Sequence, residues 1–297
     1  MTSSPRQAAL RAALRREDLL HVSLELFRTD TTDYADYVLP AAGFLEFDDL
    51  VVPYFYNTLS AQVAARPTHG DALPNQEIFR RLAKHMDLPQ QELFESDRDV
   101  LAVLMGQSGC GLSFDELKAR GTIECFADPL VPFSDGRFPT PSGKIEIASE
   151  RAEQVGLPRV PIPHADAASM NGTLRILSPA SELAMNSSYA NDPKIRARLG
   201  AATVTISPGE AQARGLAAGQ AVELANETGR LPLVVAVSDT VLDGVALVHK
   251  GRWPKCEPSL ANVNVLNPGR KTDIGESSCV HSVEAELVRV NGGGGAG

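Results

Sequence analysis

Residues 203–251 constrain the fold of this chain more than any other stretch, because short apolar runs alternate there with turn-forming residues. Thr203–Ile206 is a β-branched run. Ser207 and Glu210, which follow it, have the spacing of a capping box, in which each side chain bonds a backbone N–H of the other residue. Gly215 then supplies a left-handed stop after about two helical turns. A strand, a short helix, a hairpin and another strand in so short a stretch predict part of a small closed barrel.

The second half of this stretch predicts a β-hairpin. Val222 and Leu224 alternate with polar residues, Asn226–Gly229 has the composition of a tight turn, and apolar residues with a period of two follow it. We expect the barrel core to include Val204, Ile206, Val222, Leu224, Leu233, Val235 and Val237. Further barrel strands are predicted at Leu174–Leu177, Val245–His249 and Val283–Val290.

Composition argues against several classes of protein. The net charge is −9 and no run of lysine or arginine is present, so no nucleic-acid partner is expected. No apolar stretch approaches the roughly 20 residues of a membrane-spanning helix, and no signal peptide is recognisable, so we expect no membrane span and a cytoplasmic location. Glu46, Asp48 and Asp49 are interpreted as a solvated acidic loop, because no histidine or metal-ligand partner lies nearby. The cysteines are too widely spaced for a zinc or iron–sulfur motif and are interpreted as free buried thiols: Cys110, Cys125, Cys256 and Cys279.

Two motifs stand upstream of the predicted barrel. Thr29–Pro40 has the pattern T-x-T-x-x-x-A-D-x-V-L-P, and its first residues are expected to cap a short helix that leads into a short buried strand at Tyr37–Leu39. Pro139–Glu146 reads P-T-P-S-G-K-I-E, and it is not interpreted as a phosphate-binding loop because no apolar strand runs directly into it. Together with the pattern of residues 203–251, these motifs resemble those of molybdopterin oxidoreductases of the dimethyl sulfoxide reductase type.

The resemblance implies an α+β fold class, with an incomplete N-terminal α/β remnant followed by a C-terminal double-psi β-barrel. The implied domains are a partial α/β domain at 1–150, a linker at 151–172, the molybdopterin dinucleotide-binding barrel at 173–290 and a disordered glycine-rich tail at 291–297. Two predicted strands, Leu19–Phe27 and Tyr37–Leu39, would belong to a sheet whose other strands lie upstream. We therefore expect unpaired strand edges and exposed apolar faces in that region.

The family's barrel binds the guanine dinucleotide ends of a molybdenum bis(molybdopterin guanine dinucleotide) cofactor. The resemblance makes six residues candidates for cofactor binding here: Asn186, Ser187, Trp253, Asn262, Asn264 and Asp273. Side-chain amides both donate and accept hydrogen bonds, which suits the edge of a pterin or guanine. From the residues alone, a loop of turn-forming asparagines is an equal alternative, and the resemblance favours cofactor contact. Glu182 stands near the position where many family members carry histidine or lysine, and its charge opposes a pyrophosphate.

The resemblance covers less than half of the family's protein, and the residue that ligates molybdenum has no counterpart in this sequence. We nominate no catalytic residue and no metal ligand, and an iron–sulfur cluster is expected only in the upstream part. The expected partners are upstream molybdenum-ligating and iron–sulfur domains, in the same parent protein or in a separate subunit. Three interpretations stay open: a fragment or split subunit of an oxidoreductase, an inactive truncated product, and a stand-alone double-psi barrel used as a binding module. The Thr29–Pro40 motif argues against the third, and nitrate, formate, thiosulfate and S- or N-oxides are all open as substrates.

Overall fold

The computed structural model of the protein describes residues 2–126, 130–163, 172–272, 275–281 and 283–290. The α-helices are α1 (Gln7–Leu14), α2 (Asn75–His85), α3 (Asp97–Ser108), α4 (Phe114–Arg120), α5 (Glu150–Gln154), α6 (Pro193–Leu199) and α7 (Pro208–Arg214). The strands are β1 (Val22–Glu25), β2 (Tyr37–Pro40), β3 (Asp49–Val51), β4 (Thr58–Gln62), β5 (Thr122–Glu124), β6 (Thr173–Leu177), β7 (Thr203–Ile206), β8 (Ala221–Ala225), β9 (Arg230–Val237), β10 (Val245–Leu247) and β11 (Val283–Arg289). Short 3-10 helices occur at Thr32–Tyr34, Gln91–Phe94, Pro254–Cys256 and Val263–Leu266.

Six strands close into a barrel in the order β10-β6-β11-β8-β9-β7. β10 runs parallel to β6 and β7 runs parallel to β9, whereas the other neighbouring pairs are antiparallel. Closure leaves these six strands without an unpaired edge. The closed barrel confirms that part of the fold prediction, and its double-psi topology stays a prediction.

The barrel core is built from the residues that face inward at alternate positions along each strand. Six of the seven predicted core residues are buried: Val204, Ile206, Val222, Leu224, Leu233 and Val235. The seventh, Val237, was predicted wrongly, since it is 38% exposed. It is the last residue of β9, so its side chain lies at the rim of the barrel although its position in the alternation is correct. Leu231, near the other end of the same strand, is buried instead.

The short helix α7 begins and ends where the sequence predicts. The Ser207 hydroxyl accepts a hydrogen bond from the backbone N–H of Glu210 at 3.0 Å, and Gly215 ends the helix in a left-handed conformation (φ 59°). The capping box is only half formed, because the Glu210 carboxylate does not return to Ser207. It accepts instead from the backbone N–H of Gly244 at 2.8 Å and from Arg214 at 2.9 Å. The Glu210 side chain therefore fixes the turn before β10.

The predicted hairpin is confirmed, with β8 and β9 antiparallel and joined through Asn226–Gly229. The backbone N–H of Asn226 donates to the carbonyl oxygen of Gly229 at 3.0 Å. The Asn226 amide oxygen accepts from the backbone N–H groups of Thr228 and Gly229, which is the local bond that makes asparagine a turn residue.

The residues up to Leu39 belong to the same compact unit as the barrel. This part contains α1, and β1 and β2 form a sheet that no further strand joins within the described part of the chain. The prediction that Tyr37–Leu39 is buried was wrong, because Tyr37 is 63% exposed. Leu20 and Phe27 are also exposed, as expected for an uncovered apolar face. The predicted domain boundaries stay a prediction, and the tail at 291–297 lies outside the described residues.

The second compact unit begins at Pro40 and contains an antiparallel sheet of β3, β4 and β5. Leu59, Met105 and Leu117 form its buried apolar cluster. In its acidic loop, the Asp48 carboxylate accepts a hydrogen bond from Lys118 at 2.8 Å, so this carboxylate is paired rather than only solvated. Across the whole chain the four cysteines are free, as expected. None of them is fully buried, which corrects the second half of that prediction.

Candidate functional site

Asn186 and Ser187 lie in the irregular stretch that follows β6. Asn186 is exposed and has a left-handed backbone (φ 53°), a conformation that asparagine tolerates better than most residues. The turn rests on Gly251 (φ 102°), because a Cβ atom added to that residue would overlap the carbonyl oxygen of Asn186. Only glycine permits such a close approach of two backbones. The turn is therefore held directly against the segment that contains Trp253.

Trp253 is the only tryptophan of the sequence, and it is 6% exposed. Its indole Nε1 donates a hydrogen bond to the backbone carbonyl oxygen of Ser187 at 2.6 Å. A buried indole N–H needs such a partner, and this one links two stretches separated by more than sixty residues. Ser187 itself is half-buried.

Asn262 is 4% exposed, and its amide is fully engaged inside the protein. The oxygen accepts from Gln7 Nε2 at 3.1 Å and from the backbone N–H of Asn264 at 3.0 Å. The nitrogen donates to the carbonyl oxygens of Thr2 at 3.0 Å and of Arg252 at 2.8 Å. Asn264 is half-buried; its Nδ2 donates to the carbonyl oxygen of Thr2 at 2.8 Å, and its Oδ1 bonds no described residue. Of the two amides, that of Asn264 has hydrogen-bonding capacity left for a ligand.

The structure brings five of the six predicted site residues together. Trp253 bonds Ser187, which follows Asn186, and the backbone next to Trp253 bonds Asn262. Asn262 in turn bonds the backbone of Asn264. These residues come from two distant stretches, 186–187 and 253–264, so the tertiary fold produces their proximity. The sixth predicted residue, Asp273, lies outside the described residues.

A cavity of about 480 Å³ adjoins Asn262. Its lining includes the acidic Glu182 and three basic or ionisable side chains, Arg198, His249 and Lys250. Sequence reasoning identified Glu182 and missed the other three. A signal exists for two of these three residues. His249 and Lys250 form an ionisable pair just after an apolar strand, where the chain leaves β10. The two cations outnumber Glu182, so the local charge favours an anion such as a phosphate.

Arg252 lines the same cavity, but its guanidinium is already used within the protein. It donates to the carbonyl oxygens of Leu199 and Gly200 at 2.9 Å and of Ala201 at 3.1 Å. It also forms an ion pair with Glu257 at 3.0 Å. Arg252 therefore joins the end of α6 to the loop that follows β10 and is not a free ligand for a phosphate.

The side chains at this end of the barrel offer hydrogen bonds and positive charge. Within the described ranges, no three histidine, cysteine, aspartate or glutamate side chains lie close enough together to hold a metal ion. None of the helices in those ranges has the length and the apolar character needed to cross a lipid bilayer.

Comparison with known families identifies the barrel. The family model described as "Molydopterin dinucleotide binding domain" matches residues 174–284, which run from β6 into β11. The match therefore covers the barrel as far as the start of β11, and it includes all five candidate residues that the structure connects.

Curated relatives align over nearly the whole chain. "Probable oxidoreductase YoaE" of Bacillus subtilis is 30% identical over 292 residues, which are 97% of this chain and 42% of that protein. "Dimethyl sulfoxide/trimethylamine N-oxide reductase" of Rhodobacter capsulatus is 25% identical over 89% of this chain and 37% of its own length. The chain thus spans about two fifths of the length of these relatives.

A solved structure shares the fold. Acetylene hydratase from Pelobacter acetylenicus superposes with a TM-score of 0.80 at 20% sequence identity, over 96% of this chain and 42% of that chain. Identity at this level shows the fold alone, and the superposition includes the residues upstream of the barrel. The chain is thus similar to the C-terminal portion of molybdopterin oxidoreductases of the dimethyl sulfoxide reductase type, and its residues 174–284 belong to the molybdopterin dinucleotide-binding domain family.

Proposed function

We propose that this chain serves a molybdenum-dependent oxidoreductase by binding the guanine dinucleotide of a molybdenum bis(molybdopterin guanine dinucleotide) cofactor. The observation that carries the proposal is a chain of contacts in a barrel that matches a dinucleotide-binding family: Trp253 bonds Ser187, and Asn262 links the backbone beside Trp253 to Asn264. Asn186 is exposed and Ser187 and Asn264 are half-buried, so their polar groups can reach a ligand.

The donor set at this end fits a guanine dinucleotide. The Asn264 amide retains a free acceptor, which can receive an N–H of a purine edge. Arg198 and Lys250 supply positive charge for a pyrophosphate, and the hydroxyl of Ser187 supplies a further donor. Glu182 opposes the phosphate charge from the same cavity, so the net attraction depends on the two cations.

When bound, the molybdenum centre supplies the oxidation–reduction chemistry, as cofactors generally do in such enzymes. The role of this chain's residues is to bind and orient the nucleotide ends, and none is proposed as catalytic. Asp273 stays a proposed cofactor contact. The substrate is set by parts of the longer protein outside this chain.

We further propose that the remaining part of the longer protein covers the sheet of β1 and β2 and carries the metal-ligating and iron–sulfur domains. The exposed side chains of Leu20, Phe27 and Tyr37 support this, because apolar surface of this kind marks an interaction site. The alignment over 97% of the chain with a relative more than twice as long supports it too, and disfavours a stand-alone barrel module. Hydrogen exchange that slows in β1 and β2 on co-expression with the upstream part would support this partner, and unchanged exchange would contradict it.

The cofactor proposal is tested in the complete enzyme by the variants Asn264→Ala and Ser187→Ala. Each removes one hydrogen-bonding group from the site, and loss of such a group costs about 1–3 kcal/mol. That corresponds to about 5- to 140-fold in affinity. We expect molybdenum content, measured by mass spectrometry, and guanine nucleotide released by acid to fall together.

Ser188→Ala is the matched control, since Ser188 is an exposed serine next to Ser187. It should keep the wild-type content of both molybdenum and nucleotide. Full loading in both Asn264→Ala and Ser187→Ala would show that the nucleotide binds elsewhere and would favour the inactive-product or binding-module interpretation.

A further inference from the structure

Four stretches that are distant in sequence meet in one buried polar network beside the candidate site. They are the N-terminal segment (residues 2–7), the acidic turn (residues 29–33), the tryptophan loop (residues 252–257) and the asparagine segment (residues 262–267). Gln7 is fully buried, and Asp30 and Asn262 are 3% and 4% exposed. Buried polar side chains are costly unless hydrogen-bonded, so their partners decide what the network does.

Asp30 joins two of these stretches to its own turn. Its Oδ1 accepts from the backbone N–H of Lys255 at 2.7 Å, and its Oδ2 accepts from the hydroxyl of Thr2 at 3.3 Å. The same turn also holds Lys255 from outside, because the lysine Nζ donates to both carboxylate oxygens of Asp33 at 2.8–2.9 Å. Asp30 is buried and Asp33 is half exposed, so the two carboxylates differ in how much their loss would disturb the backbone.

Asn262 closes the network from the opposite side. Its amide nitrogen bonds the carbonyl oxygens of Thr2 and Arg252, and its amide oxygen accepts from Gln7. The backbone on both sides of Trp253 is thereby pinned: Arg252 by Asn262 and Lys255 by Asp30. The indole between these two anchors then holds the carbonyl oxygen of Ser187.

We propose that Asp30 and Asn262 are positioning residues that set the place of Trp253, and through it of the Asn186–Ser187 turn, without touching the cofactor. The functional part of this inference rests on the proposed function. It gives the turn at the start of the Thr29–Pro40 stretch a physical role, because Asp30 anchors a loop of the barrel. It also separates the two asparagines, since Asn262 supports the site while Asn264 keeps a free acceptor.

The single tryptophan makes this proposal directly measurable in the full chain, without cofactor. Asp30→Ala removes both acceptors, so the backbone N–H of Lys255 loses its partner. Hydrogen exchange in residues 252–257 should accelerate by about tenfold or more, as expected for a lost buried hydrogen bond. The emission of Trp253 should shift to longer wavelength, and its indole ring should become more accessible to quenching by acrylamide.

Three further variants separate positioning from a general loss of stability. Asp30→Asn keeps an acceptor for Lys255 and a polar partner for Thr2, so it should restore wild-type emission and exchange. Asp33→Ala is the matched control. It removes a carboxylate from the same turn, but this carboxylate bonds only the Nζ of Lys255. The emission of Trp253 and hydrogen exchange in residues 252–257 should therefore stay unchanged. Thr2→Val, which removes only the hydroxyl, should shift exchange and emission in the same direction as Asp30→Ala by a smaller amount.

Unchanged emission and exchange in a folded Asp30→Ala variant, or equal effects of Asp30→Ala and Asp33→Ala, would overturn the positioning role. If Asp30→Ala does not fold, Thr2→Val provides the test. Unchanged Trp253 emission and hydrogen exchange in Thr2→Val would also overturn the positioning role. Cofactor loading in the complete enzyme is a separate measurement. Loading that falls in Asp30→Ala and returns in Asp30→Asn supports the inference. If Trp253 responds to Asp30→Ala while Asn264→Ala and Ser187→Ala load fully, the positioning role stands and the proposed function fails.

Discussion

Replacing Asn226 with alanine tests how the barrel is closed, because this one side chain serves both the hairpin turn and two other parts of the barrel. Its amide oxygen accepts from the backbone N–H groups of Thr228 and Gly229 at 2.9 and 3.2 Å. Its amide nitrogen donates to the carbonyl oxygens of Leu266 at 2.8 Å and of Glu284, in β11, at 3.0 Å. The variant removes all four bonds at once.

The magnitude follows from the number and the surroundings of these bonds. An internal hydrogen bond contributes about 0.5–1.5 kcal/mol net. The carbonyl oxygens of Leu266 and Glu284 both lose the hydrogen bond from the Asn226 amide nitrogen. We expect the free energy of unfolding of the barrel to fall by about 2–4 kcal/mol, since the N–H groups of the turn can recover some hydrogen bonding from water. With a urea m-value of about 2 kcal/mol per M, the unfolding midpoint should fall by about 1–2 M.

The assay is urea unfolding followed by the fluorescence of Trp253, which lies in the same compact unit as the barrel. Glu227→Ala is the matched control, because Glu227 is an exposed residue of the same turn. Asn226→Asp keeps the turn acceptor but places an acceptor against two carbonyl oxygens, so it should destabilise the barrel at least as much as alanine. A midpoint shift for Asn226→Ala no larger than that of Glu227→Ala would show that these four hydrogen bonds do not stabilise the barrel.

Two further substitutions probe the site and the second unit. Gly251→Ala should destabilise the barrel by more than about 2 kcal/mol and expose Trp253, because the new Cβ would overlap the carbonyl oxygen of Asn186; a wild-type urea midpoint and emission would contradict this. The hydrogen bond from Lys118, together with one from the backbone N–H of Ala64, holds the pKa of Asp48 below its ordinary value. Because the pKa is lowered in the folded state, the stability that Asp48 contributes is present above the ordinary aspartate pKa of about 3.9 and is lost as the pH falls through the lower folded value. The difference in unfolding free energy between wild type and Asp48→Asn should be about 1 kcal/mol or less at neutral pH, given the half-exposed pair, and should shrink below pH of about 3.9; a difference that grows there would contradict it.

The hairpin and the short helix α7 could be predicted because their signals are local. Asn226 bonds groups two and three residues ahead, and Ser207 bonds a group three residues ahead, so residue type and spacing suffice. Val237 was predicted wrongly because alternation gives the face of a strand but not the point at which the strand leaves the core. The destination of the Glu210 carboxylate was missed because Gly244 is a partner from another part of the barrel.

In the candidate site, too, the residue types could be predicted from the sequence, whereas the long-range hydrogen bonds could not. Residue types and the family resemblance pointed to Asn262 and Asn264 as a pair, and the structure places them at the start of the 3-10 helix Val263–Leu266 rather than on an extended segment. The structure distinguishes them through Thr2 and Gln7, which lie more than 250 residues away along the chain. No periodicity of the sequence carries that information, because a contact at such a separation exists only once the N-terminal segment is packed on the barrel.

The barrel strands and the turns between them could be predicted from residue type and spacing, because each depends on interactions within a few residues. Which polar groups are consumed internally, and which remain for a ligand, depends on how distant parts of the chain pack together. Asn262 is saturated by the N-terminal segment, Arg252 by the end of α6, and Asn264 keeps a free acceptor. The physical reason is that a buried polar group must find a partner wherever barrel closure brings one within reach, and that partner is chosen by geometry rather than by neighbouring sequence.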